Sequence, residues 1–172
     1  MLSNRPLDNA NPEIKKLTKI TTRTQESLQN ENDDELYDPI DPLEIYDLIR
    51  EIRDPEHPLS LEALGVVNLE NIKVTDSIDE DGRKNDTISV IITPTIPHCS
   101  LATLIGLSIH TQLKRTLPER FKVKVTIEEG THEQEDQLNR QLNDKERVFA
   151  ALENKNLLKV INQCLSYVNV KN

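Results

Sequence analysis

The sequence predicts an α+β fold, a small two-layer sandwich in which a mixed sheet of about three strands carries covering helices. Three observations lead there. Thr87-Ile88-Ser89-Val90-Ile91-Ile92-Thr93 is a β-branched run of strand length. Leu101, Leu104, Ile105, Ile109 and Leu113 recur at helical spacing between Ser100, which suits an N-cap, and Pro118, which stops the helix. Phe121 to Ile127 then alternates, with Val123, Val125 and Ile127 turned inward and Lys122, Lys124 and Thr126 outward. Strand, helix and strand with short links form a crossover, so the last strand is expected to run parallel to the 87–93 strand.

Residues 1–35 read as a disordered tail. Their apolar residues (Leu7, Ile14, Leu17, Ile20, Leu28) are sparse, and such a segment cannot bury enough surface to offset its ordering entropy. A single domain spans 36–168, and 169–172 form a short C-terminal tail. Within the domain, Asp41-Pro42-Leu43-Glu44 has the order of an N-cap, a first-turn proline and a capping-box carboxylate. Ile45, Leu48, Ile49 and Ile52 follow on one helical face, and the prolines at 55 and 58 require the helix to stop near Arg53. Ser60 can cap a turn over 61–64 that ends at Gly65. An extended stretch from Val66 to Ile78 pairs with the 87–93 strand as an antiparallel hairpin, turned at Asp79-Glu80-Asp81-Gly82. Residues 132–168 are helical in pattern, with a break at Asn154 and Asn156.

Composition excludes several functions. The chain has 172 residues and a net charge of −9, which opposes a general surface for nucleic acid or anionic membrane. Its four glycines are too far apart to write a phosphate-binding loop of either common kind. The two cysteines, Cys99 and Cys164, form no CxxC, so neither a disulfide scaffold nor a closed zinc ribbon fits. The opening MLSNRPLDNANPEIKK lacks the apolar core of a signal peptide, and no stretch approaches the ~18 apolar residues of a membrane span. A soluble protein of a reducing compartment is expected.

Chemistry is best placed at Thr93-Pro94-Thr95-Ile96-Pro97-His98-Cys99-Ser100. This order sets a thiol and an imidazole before a helix N-terminus, where free amides and partial positive charge favour thiolate. Cys99 is thus a candidate nucleophile or soft metal ligand with His98 beside it. It also fits as a small buried side chain next to a loop histidine. Further donors lie at Asp54, Glu56 and His57, and at Glu128, Glu129, His132 and Glu133. None has diagnostic metal spacing. The 54–58 loop reads equally as a rigid turn with capping carboxylates, and 128–132 as a turn with Thr131 as an N-cap. Cys164, amid Leu157, Val160, Ile161 and Leu165, is assigned to structural burial. No spacing supports a catalytic carboxylate pair.

Several segments occur together in one order: Leu36-Tyr37-Asp38-Pro39, Asp54-Pro55-Glu56-His57-Pro58, His98-Cys99-Ser100, Glu129-Gly130-Thr131-His132, Asp144-Lys145-Glu146-Arg147-Val148 and Glu153-Asn154. Over about residues 36–168 the chain resembles the component 2 family of the cytosolic iron–sulfur protein assembly machinery. That resemblance implies an iron–sulfur-assembly-like fold and a non-enzymatic adaptor in the targeting complex that delivers clusters to cytosolic and nuclear apoproteins. It implies a β-propeller subunit and a helical-repeat scaffold as partners, beside the client apoproteins, and a link to chromosome segregation through those clients. Cytoplasmic localisation follows, with the nucleus as a second compartment, and no nucleic-acid or membrane partner. A homodimer stays open. Cys99 falls on the family's reactive cysteine and His98 on its neighbour, with Asp54, Glu56, His57, Glu129 and His132 as the supporting motif. Clusters usually take four thiolates and this chain offers one plausible one, so no cofactor is expected to be stably bound. Transient ligation of a cluster or metal stays open. The alternative is a small thiol-dependent enzyme using Cys99 with a nearby histidine.

Overall fold

Asp41 opens the first helix as expected. Its side chain accepts a hydrogen bond from the Glu44 amide at 2.7 Å, Pro42 occupies the first turn, and α1 runs Pro42–Ile49. In this computed structural model residues 40–75, 77–78, 80–82, 86–97 and 101–168 are described. The tails expected at 1–35 and 169–172 lie outside them, as do His98, Cys99 and Ser100; the helix expected to be capped by Ser100 has Leu101 at its cap position instead, with no side-chain cap. Helix α1 ends a turn earlier than the apolar spacing suggested. The chain turns at Arg50, yet Ile52 is still fully buried. Beyond it the backbone doubles back. Asp54 N donates to Leu59 O, Leu61 N donates to Ile52 O, and Arg53 bridges Ser60, so residues 55–58 form a tightly closed tip. Ser60 Oγ then accepts from Ala63 N, and Gly65 closes the turn at φ 66°, a conformation glycine adopts without strain.

The extended stretch expected over 66–78 contracts to a 3-10 turn at Leu69–Asn71 and a four-residue strand, β1, Ile72–Thr75. Strand β1 pairs antiparallel with β2, Thr87–Ile92, and β2 pairs parallel with β3, Lys122–Ile127, in the order β1-β2-β3. The crossover between the parallel strands is α2, Ala102–Thr116. The α+β class and mixed three-stranded sheet are therefore as the sequence indicated.

One difference concerns α2. A single apolar stripe was expected, but every residue from Ile105 to Leu113 is buried, including Ser108, His110, Thr111 and Gln112. The helix packs against β3, α1 and two of the C-terminal helices, so it has little solvent face. Ser108 and Thr111 meet that burial by donating to the carbonyls four residues earlier. Gly106 provides the closest approach, since a Cβ there would lie 2.6 Å from a Leu142 methyl.

The C-terminal region forms three helices, α3 (Glu135–Asn143), α4 (Lys145–Glu153) and α5 (Lys155–Leu165). The break at Asn154 is present, with its side chain capping α5. A second break at Asp144 was not foreseen, although Asp144 caps α4 by the same device. Thr131 is not an N-cap as expected. Its hydroxyl donates to Glu128 O, and α3 starts four residues later. Helix α3 also closes the outer edge of the sheet. Asn139 accepts from Ile127 N at 2.7 Å and Asn143 donates to Val125 O at 2.9 Å, satisfying ladder groups that would otherwise be unpaired.

Candidate functional site

The tip at 53–58 is organised by one carboxylate oxygen. Asp54 Oδ1 accepts from the amides of Glu56 at 2.8 Å and His57 at 2.9 Å, and His57 Nδ1 lies 3.3 Å from the same atom. Both side chains are buried, at 8% and 6% exposure, so the motif is a cap folded into the protein. It sits against the end of α5. Arg53 N donates to Cys164 O at 3.0 Å, and the Arg53 guanidinium stacks over the Tyr167 ring at 4.0 Å. A cavity of about 290 Å³ lies between the two elements, walled in part by Asp54, His57, Cys164 and Tyr167.

Cys164 is buried, as its apolar helical stripe predicted. Desolvation pushes its thiol pKa up. A hydrogen bond to the Ser108 side chain opposes this, and the Asp54 charge reinforces it. The cavity therefore joins a cysteine, a histidine and an aspartate, but holds the thiol in its neutral form. That is the reverse of what a nucleophile needs.

A second cluster lies beyond the carboxyl ends of the two parallel strands, where α/β sheets commonly assemble binding groups. Thr93 Oγ1 donates to the Glu128 carboxylate, tying the loop after β2 to the loop after β3. Glu133 N donates to Pro97 O at 3.0 Å, a second tie between the same loops. His132 is buried, and its Nδ1 accepts from Gln134 N at 3.0 Å. In the neutral ring this places the proton on Nε2. Glu129 is exposed beside Gly130, whose φ is 78°. The loop that leads to His98 and Cys99 is thus fastened to the His132 loop up to Pro97, the last residue described before them.

His110 is a further titratable group of the interior. It is buried on α2 and its ring hydrogen-bonds the carbonyl of Leu142, one of the orphan acceptors at the end of α3. The other ring nitrogen, Nε2, is buried with no hydrogen-bond partner among the described residues. Desolvation, with a smaller contribution from the Lys114 charge, lowers its pKa to about 4. Nothing in the local pattern marks this, because the burial comes from helices distant in sequence. Among the described residues no group of three or more His, Cys, Asp or Glu side chains is placed to hold a metal ion, and no helix is long and apolar enough to cross a membrane.

Comparison with known proteins adds the family. Residues 43–127, from α1 to the end of β3, match the family model described as iron-sulfur cluster assembly protein. A MIP18 family protein of Schizosaccharomyces pombe is 50% identical over 172 residues, covering 91% of this chain and 94% of the relative. The mouse protein named cytosolic iron-sulfur assembly component 2B is 54% identical over 160 residues, covering 93% and 91%. The chain belongs to the MIP18 family. A further member, galla-2 of Drosophila melanogaster, is 51% identical over 160 residues, covering 93% of this chain and 96% of its own. The MIP18 likeness to these relatives extends well past the matched model, so it takes in the 128–133 loop and the C-terminal helices as well as the tip at 54–58.

Proposed function

We propose that this chain works in cytosolic iron–sulfur protein assembly, as a non-enzymatic adaptor of the targeting complex that delivers clusters to cytosolic and nuclear apoproteins. The observation that carries this is the 54% identity, over 93% of this chain, to the mouse relative named cytosolic iron-sulfur assembly component 2B. In this reading the chain binds a β-propeller subunit and a helical-repeat scaffold, and acts in the cytoplasm and the nucleus. Its effect on chromosome segregation is indirect, through clients that need clusters.

Cys99 is the working thiol in this reading, with His98 beside it. Glu129 and His132 belong to the loop tied to the segment that leads to it, and Asp54, Glu56 and His57 form the separate tip against α5. The chemistry favours transient over stable ligation. Cluster iron prefers thiolate, and of the two cysteines Cys164 is held as a buried neutral thiol. One remaining thiolate falls short of the usual four, so a cluster would be shared with another chain or passed on.

The test is purification of the tagged chain from cells with identification of what accompanies it. Propeller and helical-repeat subunits are expected, and Cys99→Ser is expected to keep them while impairing maturation of client iron–sulfur proteins. Turnover of a small substrate by the isolated chain would replace the adaptor with a thiol enzyme.

A further inference from the structure

The helices cover one face of the sheet, and the other face carries a charge opposite to that of the whole molecule. Register and alternation define it. Thr75, Thr87 and Lys122 form one outward rung, Lys73, Ser89 and Lys124 the next, and Ile91 with Thr126 a third. Their neighbours Ile72, Ile88, Val90, Ile92, Val125 and Ile127 are buried on the helix side. Lys73, Lys122 and Lys124 are exposed, and none has an ion-pair partner among the described residues. No acidic side chain stands on these three rungs, although the chain as a whole carries −9. The first carboxylate on this face is Glu128, one step beyond the third rung and engaged by Thr93.

We propose that this sheet face docks an acidic segment of a partner protein. Lys122 and Lys124 are two residues apart on one strand, roughly 7 Å, which equals the spacing of alternate side chains in an extended peptide. Lys73 lies across β2 at roughly 10 Å, within reach of a third carboxylate. Hydroxyls of Thr75, Thr87, Ser89 and Thr126 supply donors between the ammonium groups. Lysine is a point charge that suits carboxylates without fixed geometry. A nucleic acid fits poorly, because the face has no aromatic side chain for stacking and no arginine, and the molecule's net charge repels a phosphate chain. This inference stands apart from the cluster-assembly reading and neither depends on the other.

The test is fluorescence anisotropy of a labelled oligoglutamate peptide with the full chain at physiological ionic strength. Combined Lys73→Glu, Lys122→Glu and Lys124→Glu is expected to weaken binding about tenfold or more, and the three Gln replacements by less. Lys155→Glu with Lys159→Glu, on α5, is expected to change it by less than about twofold. Circular dichroism confirms the fold of each variant. Equal losses from the α5 pair, no measurable binding, or tighter binding of duplex DNA through the same lysines would each overturn the proposal. Zero-length carbodiimide crosslinking of the chain alone decides the occupant. Crosslinks from these lysines to Glu31, Asp33, Asp34 or Glu35 would assign the face to this chain's own N-terminal segment, and crosslinks between isotopically distinct copies to a second copy. Either result would remove the partner, and their absence supports it.

Discussion

At the scale of single residues, His110 and Cys164 show one cause acting on two chemistries. Both are buried on facing helices, and in both desolvation disfavours the charged form. For His110 the consequence is a pH-dependent stability. The ordinary value is 6.5 and the folded value about 4, so between them the unfolded chain binds a proton that the folded chain refuses. The stabilisation is complete above the unfolded value and is lost as the pH falls. Lowering the pH from about 7.5 to 5 should cost on the order of 2 kcal/mol from this group. Urea unfolding at the two pH values measures it. His110→Asn keeps a donor for the Leu142 carbonyl without titrating, and should flatten the difference; an unchanged pH dependence in that variant would show that another group is responsible. For the cysteines, brief alkylation at neutral pH with peptide mass spectrometry should label Cys99 well before Cys164. The buried, neutral thiol reacts slowly, whereas the sequence sets Cys99 just before a helix. Equal labelling would leave Cys99 an ordinary thiol.

Among the elements, the contact between α2 and α3 is set by Gly106. An alanine there gains about 1 kcal/mol of helix propensity, but its methyl would meet the Leu142 side chain at 2.6 Å in a fully packed site. Overpacking of that kind costs about 1–3 kcal/mol, so Gly106→Ala should be net destabilising. Leu142→Ala alone should cost about 2–5 kcal/mol through its cavity. The double variant should lose less than the two together, because each change makes room for the other. Strict additivity in denaturant unfolding would mean that the helices do not meet at this point. The same interface explains what the sequence could and could not say about elements. The strand–helix–strand order and the caps at Asp41 and Asn154 are local signals, and the structure contains all of them. Asp144 was an equally local signal, but the continuing helical pattern masked it. The burial of Ser108, His110 and Gln112 was not legible, because it arises only when α3 and α5 close over α2.

For the whole molecule the same distinction governs the candidate site. Asp54, His57 and His132 could be picked out as donors near element ends, but their surroundings depend on contacts between distant segments. Only the fold brings Cys164 to the back of the 54–58 tip, and only the parallel pairing of β2 with β3 sets Thr93 beside Glu128. The elements that carry these residues share one apolar cluster, whose buried members run from Ile45 to Leu165, with Ile40 and Val168 packed against it. The apolar content of residues 1–35 is sparse, which gives them little to add to a core. Deleting them should therefore remove no core contact. The midpoint of thermal unfolding should move by less than about 3 °C, since in a domain of this size about 1 kcal/mol corresponds to roughly 2–4 °C. Scanning calorimetry of the full chain and the truncated one makes the comparison. A fall of about 8 °C or more would mean that the N-terminal segment packs on the domain and contributes several kcal/mol to its stability.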